Sequence, residues 1–470
     1  MLKKIFSHTL IYGLGEQVPK IAALLSLPII TKYLTEIDFG VYGIITATVA
    51  SVSAVSNLGF NIIIANVFYK HTHHYKIIWR QLYGFLILWN FIYSIILGFV
   101  IYLFIPVEAS EDTWLIIILN VLPFILFGPT ALFGQNYYQH KQQPKQIAVR
   151  SVIFGLISVA LNIVLIAHYN FGYLGWFIAI AVSSICNNLS FWIPLNLKLG
   201  ITPILLFKRR FIKNSLKITL PIIPHFYSNY LLNSSDQMVM KLSAVSTDDI
   251  GKYNVSYMFG NFIQQIGVAC GKAIGPMLYS CYRKKDEIQG RKIIFNLQAV
   301  FLVLTFTVSI WLKETFQILI KNDSLSNMYG LGILIVMSYS YRPMYLGANN
   351  RLFYLEKTKV LLKISLVAGL ANVVMNIILI PYYGYKVAAI TTYVALMYMG
   401  YVGYFLKDFR NNNSLSYFPI HWFILTIILT VSAIFIVNFN LYLKAIINFA
   451  IFIILIFYLK KINRASLNVQ

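Results

Sequence analysis

Charge is what this 470-residue sequence has least of. Only 11% of its residues are Asp, Glu, Lys or Arg, and just 15 are acidic, against 59% hydrophobic and a mean hydropathy of +0.71. So much apolar side chain cannot be hidden inside a globule of this length, which excludes a water-soluble protein. Cysteine is nearly absent too. Cys186, Cys270 and Cys281 all lie in or at the ends of apolar runs, so they make neither a disulfide framework nor a metal site. There is no phosphate-cradling GxxxxGK and no HExxH, and no loop exceeds about 20 residues. A soluble catalytic domain has no room here, and the expectation is a protein that is not an enzyme and uses no cofactor or metal.

What is present is a series of apolar runs of about 20 residues, each long enough to cross a bilayer. Backbone polar groups in hydrocarbon must be satisfied within their own segment, so each run is read as a helix. The spans are 9–31, 40–66, 81–105, 114–137, 149–168, 173–197, 217–240, 253–280, 293–320, 328–350, 360–381, 387–406, 418–438 and 442–459. The fold class is therefore all-α: a polytopic membrane protein with about 14 transmembrane helices. Met1-Leu-Lys-Lys looks like the start of a signal peptide. No small-residue cleavage site follows it, and Glu16 and Lys20 interrupt the apolar part, so the first span is expected to stay uncleaved.

A net charge of +23 could suit nucleic acid, but its placement does not. Alternate loops collect Lys70, Arg80, Lys141, Arg150, the run 198–217, Arg283–Lys285, Arg351, Lys357, Lys407 and Lys460. The intervening loops hold most of the acids, including Asp38, Glu108, Asp112, Asp249, Glu314 and Asp323. This is the positive-inside distribution, and it puts both termini in the cytoplasm with no nucleic-acid partner.

The chain repeats itself. Asp38-Phe-Gly40-Val-Tyr42 recurs as Asp249-Ile-Gly251-Lys-Tyr253, with the glycines 211 apart. Tyr137-Tyr-Gln-His-Lys141 answers Phe353-Tyr-Leu-Glu-Lys357, and Asn162-Ile-Val-Leu-Ile166 answers Asn376-Ile-Ile-Leu-Ile380, 214 apart. Each match falls at the same place in its half, and both halves start on the cytoplasmic side. That is a parallel repeat, of the kind between which transporters build a central site. The expected organisation is a six-helix bundle over 1–200, a second over 201–410, and two additional helices over 411–470.

Charges inside spans cost about 2.5–3.5 kcal/mol each on insertion scales and so need a reason. Glu16 and Lys20 stand at i,i+4 on span 1, glutamate first, which fits either a self-neutralising pair or a coupling role. On span 7, His225, Asn229, Asn233 and Asp236 follow i, i+4, i+8, i+11, one helical stripe facing a wet cavity or a helix partner. Asp236 lies near the outer end and is read as a rim carboxylate. Span 8 carries a ridge of Gly267, Gly271 and Gly275, which permits close helix contact, with Tyr257, Asn261, Gln264 and Lys272 near a neighbouring face. Span 10 places Arg342 before Pro343 among Ser338, Tyr339, Ser340, Tyr341 and Tyr345. Proline breaks the backbone ladder there. Arg342 can grip phosphate bidentately and Lys272 can act as a point charge; the alternative for both is snorkelling to the inner interface. His71, His73 and His74 share a basic loop and are read as solvated rather than as a metal or proton site.

With the repeat in view, the sequence resembles the polysaccharide-transporter family, that of the Wzx-type O-antigen flippases, in the multidrug/oligosaccharidyl-lipid/polysaccharide exporter superfamily. The residues that carry the resemblance are 33–42 (YLTEIDFGVY), Leu220-Pro-Ile-Ile-Pro224 with Asp236, 246–253 (STDDIGKY), and the NIxLI ends of spans 5 and 11. It covers nearly the whole chain and departs at Gln237, where the family commonly has a basic residue. The resemblance implies two six-helix bundles around a central cavity, plus an extra pair that in related lipid II flippases helps form a groove for the isoprenoid tail. It implies a polyprenyl-diphosphate-linked oligosaccharide, such as an O-antigen unit of lipopolysaccharide, moved from the inner to the outer leaflet of the bacterial plasma membrane by alternating access. Its partners would be that substrate, membrane lipids, and the glycan polymerase and chain-length proteins of the same pathway. On this reading Arg342, Lys272, Lys20, Asn261, Gln264 and Asn229 are the candidate substrate-binding residues, and Glu16, Asp236 and His225 the candidates for ion coupling. Two other classes are weighed against it. A drug/cation antiporter of the same superfamily usually ends after twelve helices. A membrane-embedded glycan polymerase or acyltransferase needs a sizeable external loop or a surface catalytic His/Asp set, and neither is present.

Overall fold

Every apolar stretch folds as helix, and the described residues contain no strand. The computed structural model describes residues 2–411 and 415–464, the side chains of 2–14, 16, 222, 225, 226, 229, 358, 463 and 464 excepted. In the first half the helices are α1 (Leu2–Ile30), α2 (Glu36–Ser53), α3 (Asn61–Lys70), α4 (Tyr75–Phe104), α5 (Thr113–Phe127), α6 (Thr130–His140), α7 (Pro144–Ile163), α8 (Tyr173–Ile193) and α9 (Arg209–Thr219). Then come α10 (Ile223–Asn233), α11 (Ser235–Leu242), α12 (Thr247–Lys284), α13 (Glu287–Ile310), α14 (Leu312–Leu319), α15 (Asp323–Ser326), α16 (Tyr329–Ser338) and α17 (Arg342–Tyr354). The chain continues with α18 (Thr358–Tyr383), α19 (Val387–Tyr401), α20 (Lys407–Arg410), α21 (Pro419–Ile436) and α22 (Leu441–Arg464).

This is a polytopic all-α membrane protein. Among the described residues, α4, α7, α8, α13, α18, α19, α21 and α22 are uninterrupted apolar helices of spanning length, and the bent pair α5–α6 adds a ninth span. The other expected spans coincide with α1, with the polar-rich α12, and with three interrupted helices, α2–α3, α10–α11 and α16–α17. Span 7 starts later than the sequence suggests. Arg209, Arg210, Lys213 and Lys217 make α9 amphipathic, with Ile212, Ser215 and Thr219 buried, the composition of a helix lying in the interface. The chain then re-enters after a short 3-10 turn containing Pro221.

Interruptions recur with the repeat. Gly128, in the left-handed region at φ +48°, precedes Pro129, and α5–α6 bends there by 55°. In the second half a 3-10 turn over Tyr339–Tyr341 precedes Arg342 and Pro343. Proline has no N–H to give and its ring crowds the preceding turn. Pro129 and Pro343 are 214 residues apart, the same offset as Asn162 and Asn376.

The chain folds as two compact units, Met1–Tyr230 with Ser246–Gly251, and Leu231–Val245 with Lys252–Gln470. The first has two aromatic-rich cores. One gathers Phe60, Trp79, Tyr83 and Phe133, the other Val41, Tyr93, Leu97, Ile101 and Phe177. The outward faces of its helices stay apolar, as at Phe91, Ile95 and Phe99, which suits contact with lipid rather than water. In the second unit α19 is the most enclosed span. The helix pair α21–α22 packs within this unit. Thr307 donates to Asn448 at 2.8 Å, Tyr393 and Thr430 hydroxyls meet at 3.1 Å, and buried Lys444 pairs with Glu314 at 2.6 Å.

The duplicated D-x-G-x-Y motif has a structural cause in the first unit. Thr35 and Asp38 form a reciprocal capping box at the start of α2, satisfying two otherwise orphaned backbone donors. The other Asp38 oxygen accepts from the Tyr173 backbone N–H at 2.8 Å. Gly40 lies against the backbone of Thr247, and Gly251 against the carbonyl of Glu36 and the backbone nitrogen of Gly40. The two copies thus cross backbone to backbone, glycine facing glycine, and a Cβ at either position would enter the opposing main chain. Gly40→Ala and Gly251→Ala should each lower the detergent-solubilised melting temperature by several degrees, since overpacking a rigid contact typically costs about 1–3 kcal/mol. Gly330→Ala, where the added carbon meets nothing within 4 Å, should not. Equal melting temperatures for all three would refute the crossing.

Candidate functional site

Within the second unit the polar residues of α10–α12, α16–α17, α18 and α19 converge. The break between α10 and α11 falls at Ser234 (φ −141°), so His225, Asn229, Asn233 and Asp236 are not one continuous stripe. The rim reading of Asp236 is corrected. Its side chain is 2% exposed and is surrounded by neutral donors. Asn376 Nδ2 donates to Oδ1 at 2.7 Å and Asn372 Nδ2 to the same oxygen at 2.9 Å. Thr392 donates to Oδ2 at 2.8 Å, and the Tyr253 hydroxyl donates to the same oxygen at 2.5 Å. Restarting the helix at Ser235 sets Asp236 in the first turn of α11, where backbone N–H groups favour a negative charge. The cost of burying a carboxylate is offset by four charge-assisted hydrogen bonds, without a cation partner among the described residues. Thr391 donates to Asn376 Oδ1, whereas Asn372 Oδ1 is buried with no hydrogen-bond partner.

A second network adjoins it. The rings of Tyr253 and Tyr257 lie 5.7 Å apart, and the Tyr257 and Tyr339 hydroxyls meet at 3.2 Å. Asn233 Oδ1 accepts from Gln264 Nε2 at 2.7 Å and from Tyr339 at 3.2 Å. Three residues beyond Tyr339, Arg342 opens α17. Its Nη1 donates to the Tyr341 hydroxyl at 3.1 Å and its guanidinium lies over the Tyr345 ring at 5.6 Å. No carboxylate stands within ion-pair distance among the described residues, and Nε is buried without a hydrogen-bond partner. Gln298 Oε1 and Ser340 Oγ at the same helix break are also buried without partners, while Gln298 Nε2 reaches the Ser340 carbonyl at 3.2 Å. The glycine ridge of α12 makes this packing possible. Gly267 faces Arg342 Cγ and Gly271 faces Leu346.

Asp236, Gln264 and Arg342 are thus in the same unit and linked by tyrosines. Asn261 and Lys272 are exposed on α12. Lys20 is half-buried on α1 in the first unit. The side chains of Glu16, His225 and Asn229 lie outside the described residues. Sequence reasoning missed Tyr253, Asn372 and Thr392 as partners of Asp236. The i,i+4 asparagines 372 and 376 on an apolar span are the available signal, and in the sequence Asn376 stands out only as part of the repeat.

Repeated helical bundles with broken helices and buried polar networks at membrane depth define the architecture of a membrane transporter. The chain belongs to the polysaccharide biosynthesis protein family, which matches residues 1–281 and bears out the family that the motifs resemble. No curated protein matches the sequence. Among solved structures, the lipid II flippase MurJ in an inward closed conformation is similar with a TM-score of 0.65 at 14% identity, over 91% of this chain and 98% of that one. An inward-facing MATE-family multidrug resistance transporter of the MOP superfamily gives 0.60 at 11%, over 86% and 93%. A Vibrio cholerae MATE transporter gives 0.53 at 16%, over 87% and 96%. At these identities the likeness is one of fold.

Proposed function

We propose that this protein moves a polyprenyl-diphosphate-linked oligosaccharide, the repeat unit of a surface polysaccharide such as O-antigen, from the inner to the outer leaflet of the bacterial plasma membrane, with both termini cytoplasmic. The observation that carries this reading is Arg342, a cation within a membrane-spanning unit that has tyrosines around it and no acid within ion-pair distance among the described residues. A charged headgroup cannot cross hydrocarbon unaided, and a guanidinium with a free edge is suited to phosphate oxygens. Tyr257, Tyr339, Asn233 and Gln264 supply hydroxyls and amides beside it for a polar headgroup. Asp236, buried among neutral donors, is the candidate coupling carboxylate. It can bind a proton or a monovalent cation in one state and release it in another, and the oxygens of Asn372, Asn376, Thr391 and Thr392 suit a hard cation.

The test is deletion of the gene in its own host. Loss of surface polysaccharide, with lipid-linked oligosaccharide accumulating on the cytoplasmic leaflet, and recovery of both on complementation, is the expected result. Intact glycan together with increased sensitivity to cationic drugs would replace this reading with that of a drug/cation antiporter.

A further inference from the structure

The first unit holds a pocket of about 460 Å³ between α6, α7 and α8, within the roughly 300–1,000 Å³ of small-molecule sites. α7 lines it with Ser151, Phe154 and Ser158, and α8 with Ser184, Asn187 and Phe191. Each set recurs at helical spacing, so both helices turn a polar stripe toward the same space. A polar side chain in a spanning helix can satisfy itself on the carbonyl one turn back. Neighbours outside the proposed contact set do this. Ser183 donates to the Ala179 carbonyl at 2.7 Å, Asn188 to Ser184 at 2.9 Å and Ser190 to Asn187 at 2.7 Å. The side chains of Ser151, Ser158, Ser184 and Asn187 make no hydrogen bond with another described residue. Four polar groups facing one cavity at membrane depth, none of them spent on another described residue, suit water or a polar ligand.

The pocket's charge narrows the ligand. The one cation among its described lining residues, Arg150, has four of its five N–H donors engaged. Nε donates to Ser190 Oγ at 3.2 Å, Nη1 to the carbonyl and Oε1 of Gln146 at 2.7 and 2.9 Å, and Nη2 to the Ser190 carbonyl at 3.3 Å. The guanidinium is also packed over Tyr138 and Phe191, at 5.1 and 4.9 Å. It forms a wall and leaves no fork for a phosphate. What remains is the serine hydroxyls, the amides of Gln135 and Asn187 and the ring of Phe154, which suits a neutral ring with polar edges and an apolar face. At 1.5 Å per residue, Arg150 and Ser158 lie about 9 and about 21 Å from the start of α7, so the pocket runs from near the helix end to mid-membrane.

We propose that this pocket binds a neutral sugar ring, the glycan portion of the transported substrate. The site is separate from Arg342 and rests on the flippase reading. Two experiments test it. In a background with Cys186, Cys270 and Cys281 replaced by alanine, Ser184→Cys and Ser158→Cys are treated with a membrane-impermeant thiol reagent in nanodiscs, with and without N,N′-diacetylchitobiose or maltose. Rapid labelling that slows at least threefold with one disaccharide is expected. No labelling, or labelling indifferent to both sugars, overturns the proposal. In cells, a Ser184→Val, Asn187→Leu double variant at matched membrane level should reduce surface glycan at least tenfold, and Ser184→Thr, which keeps the hydroxyl, should not. Normal glycan from the double variant while Arg342→Gln abolishes export overturns the pocket and leaves the flippase reading standing. Normal glycan from both overturns the pocket and the Arg342 site, while the flippase reading stands or falls by the deletion phenotype.

Discussion

Asp236→Asn should reach the membrane at the normal level and fail to export, lowering surface glycan by about a hundredfold or more, whereas Asp236→Leu should not accumulate as folded protein. The difference follows from the four donors that converge on this carboxylate. An asparagine fills the same volume and keeps an acceptor oxygen, and the hydroxyls of Tyr253 and Thr392 can rotate to accept from its amide. It removes only the charge, so it separates coupling from folding. Leucine leaves four buried donors unsatisfied at about 1–3 kcal/mol each, which together rivals the whole stability of a typical fold, about 5–15 kcal/mol. The readouts are membrane abundance, melting temperature in detergent, and surface glycan in a strain lacking the native gene. Normal glycan from Asp236→Asn would remove Asp236 from the coupling mechanism and leave it a structural acceptor.

Arg342→Lys should impair export at equal abundance, and Arg342→Gln should impair it further. Charge-assisted contacts to phosphate contribute about 1.5–3 kcal/mol each, or roughly tenfold to a hundredfold in affinity. Lysine keeps the charge but loses the planar fork and the stacking over Tyr345. The alternative was that Arg342 snorkels to the inner interface, where lysine would serve as well. The bond to Tyr341, the ring contact with Tyr345 and the unpartnered buried Nε describe a side chain held inside the unit instead. Lys272, exposed on α12, should tolerate Gln with a smaller effect. Normal glycan from Arg342→Lys and from an Arg342→Gln, Lys272→Gln double variant would rule out phosphate binding here.

The legible part of this molecule was whatever hydropathy and spacing dictate. Apolar runs of bilayer length admit only helices, so the class of fold followed from the absence of water in the membrane. The repeat was legible because both copies of D-x-G-x-Y survive, and one copy shows why. Asp38 caps α2, and glycine is required at 40 and 251 because two backbones meet there. The copies part at the tyrosine. Tyr42 packs on Trp176 at 4.6 Å, whereas Tyr253 donates to Asp236, a divergence that no local pattern records. Pro343 marks the break at Arg342, whereas its repeat partner Pro129 has no charged neighbour to single it out in the sequence.

Asp236 shows most clearly where sequence reasoning stops. Counting along an ideal helix put it at the rim, on one stripe with Asn233. The helix instead breaks at Ser234 and restarts, and the acid turns into the unit. Its partners come from residues 253, 372, 376 and 392, up to 156 positions away. Backbone hydrogen bonding and lipid contact are local demands, so the sequence alone determined the spanning helices, the repeat and the family. Which polar side chains meet, and which buried atoms are left without partners, depends on how α11, α12, α18 and α19 pack, and the tertiary structure alone decided it.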